Sequence, residues 1–312
     1  MYFNSVKVKS HKGFKEKFEG FERVLPINII IGKNNSGKSS LIDLIEALCD
    51  NSSSVKEIYS EYRPSYDRFR KDFSTVYGNG PENQVRKLYD GAIKNKIFTY
   101  KYEKRANKKI FEWPAFSELN NLSDNYQGYN LNSIFEKVKF NFFEKYIFKR
   151  INAERDITSE ESSPTILLGK NGSGLTNLIQ QFLNRKDLQR QKLIRIDFLN
   201  SINLIVNPEI EFKEISVQVS PDNSLWEICF EDKFGNNIFL SEMGSGVKTI
   251  ILVLVNLLLI PSLENTAVKD YIFAFEELEN NLHPTLQRKL YHFIKQFAVT
   301  NECIFFITTH SN

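Results

Sequence analysis

Three stretches predict an α/β fold, each a short apolar, β-branched or aromatic run that gives way to polar residues at its carboxyl end. The first, Ile27 to Ile31, breaks at Gly32 and passes through Lys33-Asn34-Asn35-Ser36-Gly37 into Lys38-Ser39-Ser40 and a helical pattern over 38–49. The second, Tyr271 to Phe275, ends in Glu276-Glu277. The third, Ile304 to Ile307, ends in Thr308-Thr309-His310-Ser311.

The loop after the first run has the spacing G-x-x-x-x-G-K-S/T, a phosphate-binding loop in the strand–loop–helix setting that the motif requires. Glycines let backbone N–H groups turn toward phosphate oxygens, and the helix N-terminus adds positive potential. Gly32, Lys33, Asn34, Asn35, Ser36, Gly37, Lys38, Ser39 and Ser40 are the candidate nucleotide-binding residues. Lys38 is placed to reach the β- and γ-phosphates of ATP, and the Ser39 hydroxyl to ligate Mg²⁺.

The 312 residues suffice for one large α/β domain or two smaller ones. With 41% apolar and 25% charged residues, the composition is ordinary for a soluble globular protein. A net charge of +3 does not by itself imply a nucleic-acid partner. Cys49, Cys229 and Cys303 lie far apart with no C-x-x-C, which suggests neither a zinc site nor a disulfide framework. Met1 to Glu22 is rich in Lys and Glu and lacks the apolar core of a signal peptide. The longest apolar run, Thr249 to Pro261, carries Asn256 and is too short to span a bilayer. It reads as a buried helix, and the protein is expected in the cytoplasm with no membrane partner.

Taken in order, residues 1–50 predict two or three strands and then the phosphate loop and its helix. Lys9-Ser10-His11-Lys12 reads as a solvated hairpin turn, with adenine or ribose contact as the alternative. Residues 51–150 read as an insertion with helical signals near 55–75, a turn at Gly78-Asn79-Gly80-Pro81 and a hairpin of Lys96 to Glu103 with Lys108 to Trp113. From Arg86 to Lys109 there are nine Lys or Arg and two acids, interleaved with Tyr and Phe. That composition suits a nucleic-acid groove, so DNA contact stands here beside the plainer reading of an exposed hairpin with its lysines in water.

Residues 138–155 give a strand running into Glu154-Arg155, side chains delivered to a site at the strand's carboxyl end. Gly169 to Thr176 repeats the glycine spacing of a phosphate loop but has Leu175 where the lysine must stand. It is read as a loop leading into an amphipathic helix over 175–206, not as a second nucleotide site. Strands follow over 211–219, 225–231 and 237–240. No heptad run appears, which excludes long coiled-coil arms.

Ser241-Glu242-Met243-Gly244-Ser245-Gly246, ahead of the apolar helix over 249–260, places small residues at a helix N-terminus, an anion-favouring arrangement. Glu276 and Glu277 supply two carboxylates at a strand end, one for the Mg²⁺ shell and one to polarise an attacking water as general base. His310, at the end of the last strand, is placed to hydrogen-bond a γ-phosphate.

In this order, Gly32–Ser39, Ser241–Gly246, Glu276–Pro284 and Thr308–Ser311 resemble the OLD-like ABC ATPases, the group also classed as AAA15 or AAA21. The most specific piece is Glu276-Glu277-Leu278-Glu279-Asn280-Asn281-Leu282-His283-Pro284, similar to the family's acidic-Glu-Pro-Glu-x-x-Leu-His-Pro. Ile151-Asn152-Ala153-Glu154-Arg155 is also similar to a family segment. The resemblance covers 1–50 and 150–312. Glu276 stands where Asp is usual, Leu278 replaces the usual Pro, and Gly244-Ser245-Gly246-Val247-Lys248 resembles the OLD and RecF side rather than transporters.

The resemblance implies a P-loop NTPase with ABC-ATPase head architecture: a mixed central sheet, an N-terminal antiparallel β-subdomain and a helical/β insertion. Residues 1–50 and 151–312 would form the head and 51–150 the insertion. It implies a homodimer or higher oligomer whose heads bind ATP head to tail. Lys38, Ser39, Glu276, Glu277 and His310 of one subunit would then face Ser241, Gly244, Ser245 and Gly246 of the other. It further implies a slow ATPase that controls a DNA-cleaving effector in anti-phage defence. The nuclease would be a Toprim domain beyond Asn312, where the chain is expected to be truncated, or a separate HNH subunit. No nuclease constellation is visible within 1–312, so no cleavage is expected from these residues alone. The alternatives are a RecF- or SMC-like DNA-repair ATPase, with SMC disfavoured by the absent arms, and a nucleotide-gated scaffold that does not hydrolyse.

Overall fold

The computed structural model describes residues 5–9, 19–33, 35–50, 57–62, 65–94, 98–105, 108–112, 143, 146–155, 157–164, 167–219 and 224–310. Asn34, Ser10 to Lys12 and Ser311 of the candidate segments lie outside them. Along the first half run β1 (Ser5–Lys9), β2 (Glu19–Phe21), β3 (Ile27–Ile31), α1 (Lys38–Cys49), β4 (Glu57–Tyr62), α2 (Tyr66–Tyr77), α3 (Glu82–Leu88), β5 (Phe98–Arg105) and β6 (Lys108–Glu112). The second half adds β7 (Ile147–Ile151), α4 (Leu175–Asn184), α5 (Leu188–Lys192), α6 (Leu199–Val206), β8 (Phe212–Val219), β9 (Trp226–Asp232), β10 (Asn237–Phe239), α7 (Ser245–Glu264), β11 (Tyr271–Glu276), α8 (Pro284–Asn301) and β12 (Ile304–Thr309). Contacts divide the chain into two units, one of Met1–Leu25 with Ser40–Tyr146 and one of Pro26–Ser39 with Ile147–Asn312.

The second unit is built on a four-stranded sheet in the order β3-β12-β11-β7, parallel at every pairing. β11 and β12 are buried at every residue, which is why they read as unbroken apolar runs without alternation. Their rings interlock, with Phe273 stacked on Phe305 at 5.2 Å and Phe275 edge-on to it at 5.7 Å. Ile31 pairs with Thr309, Glu276 with Thr308 and Phe275 with Ile151. All four carboxyl ends therefore emerge side by side along one edge, the place where open α/β sheets build their sites.

The antiparallel strands β8, β9 and β10 form a separate sheet in the order β10-β9-β8, and α7 runs through the core of this unit. α7 is longer than the apolar run that announced it. It spans 20 residues, enough by length and composition to cross a membrane, so the argument from shortness does not hold. Burial settles the matter: 249–257 and 259–261 are buried among core side chains of the same unit, such as Phe198, Ile202 and Phe275. Pro261 has no N–H to return to the preceding turn, and the helix widens into a π turn over Val255–Leu259 just before it. Asn256, the one polar residue in that stretch, donates from Nδ2 to the Leu252 carbonyl at 2.9 Å.

The helical pattern over 175–206 is broken in the structure. α4 stops at Asn184, and the Asp187 side chain caps the next helix by accepting from the backbone N–H groups of Gln189 and Arg190 at 3.1 and 3.2 Å. A π turn over Leu193–Phe198 then joins α5 to α6.

The first unit holds a five-stranded antiparallel sheet in the order β2-β1-β4-β5-β6. The helical signal near 55–75 splits here: Glu57–Tyr62 is a strand paired with both β1 and β5, and helix begins only at Tyr66. The hairpin of β5 and β6 forms as expected, with Lys104 opposite Lys109. Val6, Leu44, Phe69, Phe73, Val85 and Leu88 are buried in this unit. In the basic run that follows, Arg86 and Lys94 flank Asp90 at 3.8 and 3.2 Å, and the Arg86 guanidinium lies 4.3 Å from the centre of the Tyr66 ring.

Candidate nucleotide site

The loop after β3 turns in little space. A Cβ added at Gly32 would come within 2.4 Å of Ser36 Oγ, while Gly37 has φ +90°, a conformation costly for any other residue. Ser36 N donates to the Lys33 carbonyl at 3.2 Å and closes the turn. Lys38, only 7% exposed, donates from Nζ to the Gly32 and Lys33 carbonyls at 2.8 and 3.1 Å and to His310 Nδ1 at 3.0 Å. An ammonium only donates, so Nδ1 accepts and the imidazole proton sits on Nε2, facing Glu277. With no proton on Nδ1, its 3.2 Å approach to the Gly32 carbonyl is a contact between two acceptors and not a hydrogen bond.

The Ser39 hydroxyl donates to Glu276 Oε2 at 2.8 Å. The other oxygen, Oε1, accepts from Arg150 Nε at 2.7 Å and pairs with its second nitrogen at 2.6 Å. A hydroxyl and a carboxylate oxygen this close are the hard oxygen donors that Mg²⁺ takes, with water and phosphate completing its shell. Ser39 and Glu276 therefore fit as the protein's contribution to a Mg²⁺ site, and the glutamate's extra methylene carries its carboxylate to the serine.

Glu277 sits just past the end of β11 with φ +49°, an unusual backbone for a glutamate. Its N–H donates to the Thr308 carbonyl at 3.0 Å, its Oε2 accepts from Asn280 Nδ2 at 2.8 Å, and its Oε1 faces His310 Nε2. Burial raises the Glu277 pKa, but the hydrogen bonds from His310 and Asn280 and the charge of Lys38 outweigh it, leaving the carboxyl below its ordinary value. It is ionised at neutral pH, as a base must be.

Two residues hold this cluster that the sequence did not assign. Arg150, on β7, reaches Glu276 across the strand pairing in which its own partner is Ala274. Glu279 accepts through Oε1 from Thr309 Oγ1 at 2.6 Å and from the His310 backbone N–H at 2.8 Å, fixing the residue that carries the imidazole. Of the Glu154-Arg155 pair, only Arg155 turns to the site; Glu154 is exposed. Leu278, in the position usual for proline, is fully buried.

Ser241, Gly244 and Ser245 are exposed, with Ser245 opening α7. Gly246 is packed so closely that an added Cβ would meet the Asn281 carbonyl at 2.7 Å. The Ser241 N–H donates to Glu227 Oε1 at 2.7 Å. Among the described residues, no hydrogen bond or ion pair joins Ser241–Gly246 to Gly32–Ser39.

The second glycine loop, the one lacking a lysine, is closed from within. The Glu160 carboxylate accepts from the N–H of Gly174 through Oε1 and, through Oε2, from the N–H and side-chain amide of Asn177 at 3.1 and 2.9 Å. An internal carboxylate thus takes the helix N-terminus that an anion would need.

A family profile described as an AAA ATPase domain, AAA_15, matches residues 87–312, well over half of the chain. The chain belongs to the AAA_15 family. It is an ATPase domain of that kind, and Arg150, Glu276, Glu277 and His310 all lie inside the matched segment, whereas Gly32–Ser39 precedes it. Among solved structures, the AAA_15 chain is similar to an SMC head bound to the C-winged helix domain of ScpA, at 12% identity, over 100% of this chain and 90% of that one, with TM-score 0.51. It also matches an SMC head domain from Thermotoga maritima (12% identity, the same coverages, TM-score 0.42). A third match is an SMC head with an extended coiled coil bound to the C-terminal domain of ScpA from Pyrococcus furiosus (11% identity, the same coverages, TM-score 0.45). A comparison with curated proteins gives no match. At this identity the likeness concerns the fold, which is that of an ABC-type ATPase head with a parallel central sheet and separate antiparallel strands.

Proposed function

We propose that this AAA_15 ATPase hydrolyses Mg²⁺-ATP in composite sites formed by two heads arranged head to tail. One subunit supplies Gly32 to Ser40, Glu276, Glu277 and His310, and the other supplies Ser241, Gly244, Ser245 and Gly246. The observation that carries this reading is the hydrogen-bonded chain from Ser39 through Glu276 and from Lys38 through His310 to Glu277, with an exposed anion-favouring segment left outside it. Bound Mg²⁺ would neutralise charge on the β- and γ-phosphate oxygens. Lys38 brings an ammonium to the same oxygens, Glu277 takes the proton of the attacking water, and the His310 Nε2 N–H orients Glu277.

In this reading the ATP state is a cytoplasmic switch for a DNA-cleaving effector in anti-phage defence, carried by a Toprim domain or a separate HNH subunit. Its support is the resemblance of Glu276–Pro284 to the OLD-like segment. The SMC-head likeness supports a second reading, a RecF- or SMC-like DNA-repair ATPase whose head grips a protein partner.

Ser245→Arg tests the shared site. The position is exposed, so the substitution leaves the core intact, but it puts bulk and charge on the face offered to the partner head. Binding of a fluorescent ATP analogue is expected to stay within about 3-fold of wild type while phosphate release falls about 100-fold, the scale set by a lost oxyanion-type contact. Wild-type turnover in this variant would contradict a site completed by a second subunit.

A further inference from the structure

We infer that Arg155 is a positioning residue that ties the strained turn of Glu277 to the helix beginning at Ser245. The inference rests on the reading of Glu277 as the base. The Arg155 guanidinium bridges three separate pieces of chain. Its Nε donates to the Asn152 carbonyl at 2.9 Å, at the end of β7. One terminal nitrogen donates to Thr249 Oγ1 at 3.1 Å, on the second turn of α7. The other donates to the carbonyls of both Glu276 and Glu277, the latter at 3.0 Å.

A left-handed glutamate persists only where its surroundings over-determine it. Here the Glu277 N–H is fixed by Thr308, and its carbonyl and that of Glu276 are fixed by one guanidinium. A planar fork is suited to this, since it can hold several acceptors at fixed angles where an ammonium cannot. The group is expensive to place: burial lowers its pKa against the opposing pull of Glu279, Glu277 and Glu276. Thr249 is itself buried, so its hydroxyl couples any movement of α7 to the guanidinium. Because α7 begins at Ser245, in the segment offered to the partner head, docking there is transmitted to the carboxylate that activates water. Arg155 touches neither the phosphate loop nor Lys38 through any hydrogen bond among the described residues, so its loss should spare ATP binding.

Steady-state hydrolysis by Arg155→Ala, Arg155→Lys and Thr249→Val, alone and combined, tests this. Misplacing a base by a fraction of an ångström to an ångström costs on the order of 10²-fold. Arg155→Ala is therefore expected to lower kcat about 100-fold with KM for ATP within about 3-fold, and Arg155→Lys to recover little of it. Millimolar guanidinium should restore turnover of Arg155→Ala at least 10-fold but leave Glu277→Gln unchanged. Thr249→Val should cost several-fold alone and nothing further in the Arg155→Ala background. A kcat within 2-fold of wild type, or a loss of kcat and ATP affinity together that guanidinium does not reverse, would overturn the inference while leaving the ATPase reading intact. A wild-type protein that releases no phosphate would overturn both.

Discussion

Glu277→Gln is expected to lower kcat about 10³-fold while ATP remains bound, the range in which removal of a positioned general base falls. The amide keeps the shape of the carboxylate and can still face Asn280 and His310, but it cannot take a proton. The effect should be large because the surroundings favour the ionised form: His310 and Asn280 donate to the two carboxylate oxygens, and Lys38 adds charge beyond the imidazole. Phosphate release from wild type and variant at saturating Mg²⁺-ATP, with a parallel binding titration, checks both halves. Undiminished release would remove Glu277 from the reaction and leave the hydrolysing base unassigned.

Lys38→Ala should act on both affinity and rate. The ammonium is gripped by two loop carbonyls and by His310 Nδ1, so it sits where phosphate oxygens would enter and sets the imidazole tautomer. Losing one charged contact to a developing oxyanion costs about 10²- to 10³-fold in kcat. A lost charge-assisted hydrogen bond of roughly 1.5–3 kcal/mol weakens binding by a further 10-fold or more. Together kcat/KM is expected to fall about 10⁴-fold, with the weakened binding of the ATP analogue separating this variant from Glu277→Gln. Retention of kcat/KM within 10-fold would show that the loop is not the nucleotide site.

The parts of this site that were legible in the sequence are those set by local chemistry. β11 and β12 announce themselves because strands covered on both faces must be apolar throughout, β3 by its β-branched run ending at Gly32, and the residues at their ends follow directly. Gly32, Gly37, Lys38 and Ser39 are fixed by the spacing a phosphate requires. What was not legible depends on which strands become neighbours. Arg150 meets Glu276 across 126 residues of sequence, because β7 lies beside β11, and no local spacing encodes that order. Glu279 stood within the quoted motif, but its partners, Thr309 and the His310 N–H, lie on a different strand. The errors in the elements have the same origin. Glu57–Tyr62 is a strand because it finds partners on both sides, and the helix over 175–206 breaks because Asp187 caps more favourably than it continues.

The most direct measurement is the sedimentation of Glu277→Gln at micromolar concentration with and without Mg²⁺-ATP. With turnover blocked, two heads that complete each other's sites should remain closed on the nucleotide. The variant should therefore sediment as a dimer with ATP and as a monomer with ADP, and Ser245→Arg added to it should abolish the dimer. A Glu277→Gln protein that binds ATP yet stays monomeric at saturating nucleotide would contradict the composite site.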